Sequence, residues 1–174
     1  MKVIFSLLGL IQQYRKKDEK MVFTKLQEDQ LRWVKTLNLL AQQSGIHSIL
    51  VMQSHPETME VIFANDQPVY KAGDRGPKSV QAGCHKLYCE QVVNTQQELL
   101  VMDASIDPQW QGNEDWVKFG LGMYLGFPLF YGDQVVGTVC ALHDKPYDFY
   151  QGDPAAYEQL TKLKQQLEQA MLGD

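Results

Sequence analysis

A chain of 174 residues, 44% hydrophobic and 21% charged, has the size and composition of one globular domain that needs no disulfide or metal to stay folded. Its net charge of −5 and the lack of a basic stripe interleaved with aromatics argue against a nucleic-acid surface. Three cysteines, an odd number, fit reduced thiols in a cytoplasm better than a secreted disulfide framework.

The first residues combine Lys2 with the apolar run Val3 to Ile11, but no small-residue cleavage site follows. The run is far short of the roughly 20 residues that span a bilayer, so no integral membrane span is expected. Ile4, Leu7, Leu8, Ile11 and Tyr14 share one helical face, which predicts an amphipathic leader or accessory segment over residues 1–23. Either Met1 or Met21 can serve as the start. Thr24-Lys25-Leu26-Gln27 fits a capping box, opening a helix through Leu26, Trp33, Leu37, Leu40 and Ala41 that Gly45 caps. A single domain over 24–172 is expected.

Ile46 to Met52 and Met59 to Ala64 are β-rich runs joined by a polar hairpin loop. Asn65 to Pro77, with two prolines and two glycines, reads as loop, and His85 to Val93 as a short helix. Leu99 to Met102 reads as a strand. Asp103 to Phe119 reads as a long polar loop bearing Trp110 and Trp116, a natural place for binding residues.

Tyr124 to Asp144 predicts a hairpin turning at Gly132-Asp133, with Tyr131 facing Gln134 and Pro128 facing Gly137. Pro128 has no N–H to give, so its strand needs a bulge, a break or a free edge on that side. Alternation then puts Tyr124, Gly126, Pro128, Gly137, Val139 and Ala141 on one thin face, and Leu125, Phe127, Leu129, Val136, Thr138 and Cys140 on a bulky one. The thin face suits either a packed helix or the floor of a ligand site. Asp153, Pro154 and Gly173 bracket a final helix whose Ala156, Leu160, Leu163, Leu167 and Ala170 lie on one seam. That seam fits either the domain's own sheet or a partner helix.

Tyr88-Cys89-Glu90, Val101-Met102-Asp103-Ala104, Asp107-Pro108, Tyr124 to Leu129, Gly137 to Leu142 and Asp144 stand in an order and spacing that resemble a GAF domain, a small-molecule sensory module related to PAS domains. The resemblance covers Thr24 to Met171. It implies an α+β fold with a central antiparallel sheet of five or six strands, the N- and C-terminal helices on one face and pocket loops on the other. It also implies a homodimer formed through terminal helices and an output partner such as a kinase or diguanylate cyclase. No output domain is present in these 174 residues, so the partner would act in trans, or the chain is a stand-alone or truncated module.

Tyr88, Cys89, Asp103, Trp110, Trp116, Phe119 and Tyr124 are the candidate ligand-binding residues: four aromatic walls and a few polar fixtures. For each aromatic the alternative is a core or loop anchor, and for Asp103 a turn cap. Some relatives are free methionine sulfoxide reductases, but their reactive cysteines lie in a loop that here has none. Cys84, Cys89 and Cys140 read first as structural thiols, with a Cys84–Cys89 redox pair the alternative. Cys84-His85 precedes the long loop instead of following it, against bilin attachment. No metal-ligand spacing, phosphate loop or cyclic-nucleotide signature is present, so no cofactor or catalytic residue is assigned. The expected function is a cytoplasmic sensory domain that binds a small molecule and signals through its terminal helices. An interaction or dimerisation module without ligand and a thiol-dependent reductase are the alternatives.

Overall fold

The computed structural model describes residues 2–81, 83 and 85–173; of residues 2–6, 16, 19 and 20 only the backbone is described. Cys84 lies outside the described residues. Two helices, α1 (Lys2–Glu28) and α2 (Gln30–Ser44), lead into β1 (Ser48–Ser54), β2 (Thr58–Ala64) and β3 (Arg75–Pro77). Then come α3 (Tyr88–Thr95), β4 (Leu99–Val101), α4 (Glu114–Phe119), β5 (Met123–Tyr131), β6 (Gln134–His143) and α5 (Ala156–Leu172). The strands form one antiparallel sheet in the order β3-β2-β1-β6-β5-β4.

Helices α1, α2 and α5 cover one face. Val22, Phe23 and Leu26 of α1, Trp33, Leu37 and Leu40 of α2, and Ala156, Leu160, Leu163, Leu167 and Met171 of α5 join one buried cluster. Its sheet side is Ile49, Val51, Phe63, Leu125, Phe127, Leu129, Val139 and Ala141. Burying each such Leu or Phe contributes about 1.5–3 kcal/mol, so the terminal helices are held by the core itself. The α5 seam therefore lies on the domain's own sheet. On the other face α3 and the loops around α4 enclose a second cluster built on Tyr88, Val92, Val101, Trp110, Leu121 and Tyr124.

Several predicted boundaries change. Thr24 does not cap a helix: α1 runs through it without a break, and the chain turns at Asp29. The apolar face formed by Val22, Phe23 and Leu26 spans the presumed junction and overrides the local capping signal. Gly45 caps α2 as expected, at φ +73°. The helix expected from His85 starts at Tyr88, and β3 and α4 arise inside segments read as loop. Asp153 does not cap α5; Ala155 holds that position, after a cis Asp153–Pro154 bond.

The β5–β6 hairpin turns at Gly132-Asp133 with Tyr131 opposite Gln134, but its register shifts between Leu129 and Phe130. Phe130 faces Val135 and Leu129 faces Gly137, so Val136 is the extra residue of a bulge. Every later residue of β6 therefore points to the opposite face from the one an unbulged hairpin gives. Pro128 faces Thr138, not Gly137. Tyr124, Gly126 and Pro128 share a face with Thr138, Cys140 and Leu142; Gly137, Val139 and Ala141 join Leu125, Phe127 and Leu129 under the helices. Pro128 sits beyond the end of β4, whose pairing stops at Leu99–Gly126, so it occupies a free edge.

The two thinning glycines thus serve different faces. A Cβ at Gly137 would strike the Met52 carbonyl and meet the Phe23 ring of α1 at 3.0 Å. A Cβ at Gly126 would fall within the Tyr124 phenol, which lies along the sheet over it.

Candidate functional site

On the face away from the terminal helices lies a cavity of about 240 Å³. Its floor is sheet: Leu50 and Met52 of β1, Met59 and Val61 of β2, Cys140 and Leu142 of β6, and Tyr124 of β5. Leu87, Tyr88 and Cys89, at the start of α3, form one wall. The rim and roof come from two segments read from sequence as loop. Val69, Tyr70, Asp74 and Arg75 precede and enter β3, and Glu114, Asp115, Lys118 and Phe119 are on α4.

Each roof segment is held by a small polar device. Gln67 donates from its amide to the Asn65 and Tyr70 carbonyls and accepts from the Val69 and Tyr70 N–H groups. This fixes the loop that presents Tyr70. Asn113 caps α4 by accepting from the Asp115 N–H at 2.9 Å, and its amide donates to the Lys86 carbonyl at 3.0 Å, tying α4 to the segment before α3. Buried Glu90 accepts from the N–H groups of Ser79, Lys86 and Leu87, which folds that segment over β3. The roof closes where the Tyr70 hydroxyl donates to Asp115 Oδ1 at 2.6 Å.

Of the residues singled out from sequence, Tyr88, Cys89, Phe119 and Tyr124 line this cavity. Trp110 sits behind it, buried against the Tyr88 ring with centroids 4.8 Å apart; Tyr88 in turn packs on Tyr124 at 4.8 Å. Trp116 packs on Gly122, and Asp103 turns the backbone by accepting from the Ser105 N–H. Both border a separate surface hollow. The tryptophans therefore do not roof the cavity; Tyr70, Asp115 and Phe119 do. Sequence reading passed over α4, although Asn113, acidic Glu114 and Asp115, basic Lys118 and Gly120 are helix start and stop signals.

Burial dominates the electrostatics. The Cys140 thiol is pushed up to about 12 and the Cys89 thiol well above its ordinary value, both by loss of solvent, with the Asp115 charge adding to the shift. Desolvation also raises Asp115 itself, opposed by the Tyr70 hydrogen bond. Among the described residues the buried Tyr124 Oη and Thr138 Oγ1 have no oxygen or nitrogen partner, and only the weakly polar Cys140 thiol lies beside them. No group of His, Cys, Asp and Glu among the described residues could hold a metal ion.

A family model for the GAF domain matches residues 33–171. The chain belongs to the GAF family. No curated protein matches the chain. Among solved structures it is similar to the GAF domain region of a putative membrane protein from Geobacter sulfurreducens PCA, with TM-score 0.64 and 15% identity over 86% of this chain and 97% of that one. It is similar to the phycocyanobilin-bound GAF domain of a cyanobacterial phytochrome, with TM-score 0.60 and 13% identity over 90% and 95%. It is also similar to the free methionine-R-sulfoxide reductase of Neisseria meningitidis in complex with its substrate, with TM-score 0.57 and 17% identity over 90% and 86%. At these identities the likeness is one of fold. The six-stranded antiparallel sheet of this GAF domain is the fold expected from sequence, and no described helix is long and apolar enough to cross a membrane.

Proposed function

We propose that this GAF domain is a cytoplasmic sensory module that binds a small molecule in the cavity under Tyr70, Asp115 and Phe119 and passes the change to its terminal helices. The observation that carries the reading is the position of the cavity. Its floor strands also carry the residues that grip the helices. Leu50 pairs with Cys140 on the cavity side, while the neighbouring pair Val51 and Val139 lies in the cluster of α1, α2 and α5. A ligand that shifts β1 against β6 therefore strains the packing of Phe23 on Gly137.

The first half of α1 exposes Leu7, Leu8, Ile11 and Tyr14, which supports a homodimer through that helix, with a kinase or diguanylate cyclase as a receiver in trans. Thiol catalysis fits less well, because a reactive cysteine needs a depressed pKa and both described thiols are shifted the other way.

The test is a thermal-shift screen of small molecules against the wild-type domain and Leu142→Trp, whose indole fills the cavity. Compounds that stabilise the first and not the second support the reading. A screen in which the two proteins respond alike overturns it.

A further inference from the structure

The cavity is mainly apolar below its roof, where Tyr124 and the Cys89 and Cys140 thiols are its weakly polar members, and the charges of that roof do not balance. Arg75 pairs with Glu60 at 2.7 Å and Lys118 with Glu114 at 3.3 Å, so both rim cations are engaged by other carboxylates. Asp74 accepts from the Lys71 N–H. Half-buried Asp115 has the Tyr70 hydroxyl on Oδ1, and among the described residues no cation lies within ion-pair distance of it. Lys118, one turn along α4, offsets part of the burial cost of Asp115 but makes no ion pair with it, and a carboxylate partly withdrawn from water whose one hydrogen bond is from a neutral donor gains when a cation arrives beside it. The charge is felt across the whole chamber: Asp115 contributes to the upward shifts of Tyr70, Tyr88, Cys89, Tyr124 and Cys140.

The remaining walls suit the rest of such a ligand. Tyr70, Tyr88, Phe119 and Tyr124 line the cavity, and an aromatic ring attracts an ammonium to its face as well as packing on an apolar body. Beneath them Leu50, Met59, Val61 and Leu142 offer nothing for a second polar group. At about 240 Å³ the cavity falls below the roughly 300–1,000 Å³ of sites for drug-sized molecules. Resting on the sensory reading above, we infer that the cavity takes a small apolar primary amine, with Asp115 as counterion to its ammonium group and Tyr70 holding the carboxylate in place. An apolar acid of the same size is repelled by the same carboxylate.

Three probes with one skeleton test this: 2-phenylethylamine, 2-phenylethanol and phenylacetate, titrated calorimetrically into the full chain. The amine is expected to bind at least tenfold more tightly than the alcohol, with phenylacetate weakest. Asp115→Asn, which keeps an acceptor for Tyr70, is expected to abolish the advantage of the amine over the alcohol, so that the two bind this variant alike. Equal binding of amine and alcohol to the wild type, or tightest binding of phenylacetate, overturns the counterion assignment while leaving a small-molecule pocket intact. If none of the three binds and Leu142→Trp behaves as wild type in the thermal-shift screen, the pocket reading fails with it.

Discussion

The Tyr124 phenol occupies the space that a side chain at Gly126 would take. A Cβ there would overlap Tyr124 Oη and Cζ, so the glycine exists to seat the ring that also supports Tyr88. Gly126→Ala is expected to destabilise the domain by about 1–3 kcal/mol through overpacking. Tyr124→Leu alone leaves a cavity and also destabilises. The double variant should lose clearly less than the sum, because the clash and the void cancel. Urea unfolding of the four proteins measures the coupling, and strict additivity would show that ring and glycine are independent.

Thr138 pairs across the hairpin with Pro128 and is fully buried, yet among the described residues its hydroxyl has no oxygen or nitrogen partner and only the weakly polar Cys140 thiol beside it. Replacing an orphan buried hydroxyl by a methyl of the same shape removes a desolvation cost of about 1–3 kcal/mol. Thr138→Val should therefore match or exceed the wild type in unfolding free energy, whereas Thr138→Ser should fall below it. A clear loss in Thr138→Val would mean that the hydroxyl has found a partner, such as the neighbouring thiol.

How these residues meet was only partly legible in the sequence. The turn at Gly132-Asp133 followed from local chemistry, and the missing N–H of Pro128 called for a bulge, a break or a free edge, of which the structure has the free edge. The face of Gly137 did not, because one inserted residue at Val136 reverses everything after it, and neither Val135 nor Val136 looks unlike an ordinary strand residue. Thr24 misled for the opposite reason: a pattern competent to start a helix is equally at home inside one when apolar residues continue on both sides. Tyr70 lay in a segment whose prolines and glycines announced only a loop. Its role depends on Asp115, 45 residues away, and no local periodicity carries that information. Of the GAF motifs, Tyr88 to Glu90, Tyr124 to Leu129 and Gly137 to Leu142 were readable because they lie on α3, β5 and β6, where side-chain spacing follows the backbone.

Glu90 is the buried clasp of the segment before α3. Its two carboxylate oxygens are shared among three backbone donors, with the contacts to Ser79 and Lys86 at 2.7 and 2.8 Å. Glutamine offers one acceptor oxygen in place of two, so Glu90→Gln must leave at least one of these N–H groups unpaired. Hydrogen bonds to charged groups contribute about 1.5–3 kcal/mol, and a loss on that scale is expected in urea. Hydrogen exchange should accelerate at the amides of Ser79 and Lys86 more than in β1 or β6. Uniform acceleration would instead mark Glu90 as a contributor to global stability alone.

His143 gives the domain an acid-sensitive joint at the far end of the sheet. Its Nδ1 accepts the His47 N–H at 3.1 Å, which only the unprotonated nitrogen can do. Desolvation, followed by the influence of His47 and Lys145, lowers its pKa below the ordinary 6.5, and Asp144 offsets part of that. Between the lowered folded value and 6.5 the unfolded chain binds more protons than the folded one, so stability rises with pH across that window. The contribution is complete above about pH 6.5 and is lost as pH falls through the folded pKa. Urea midpoints should therefore drop on going from pH 7.5 to 5. His143→Gln, which keeps an acceptor but cannot titrate, should flatten that drop. An unchanged pH profile in the variant would assign the acid sensitivity to other groups.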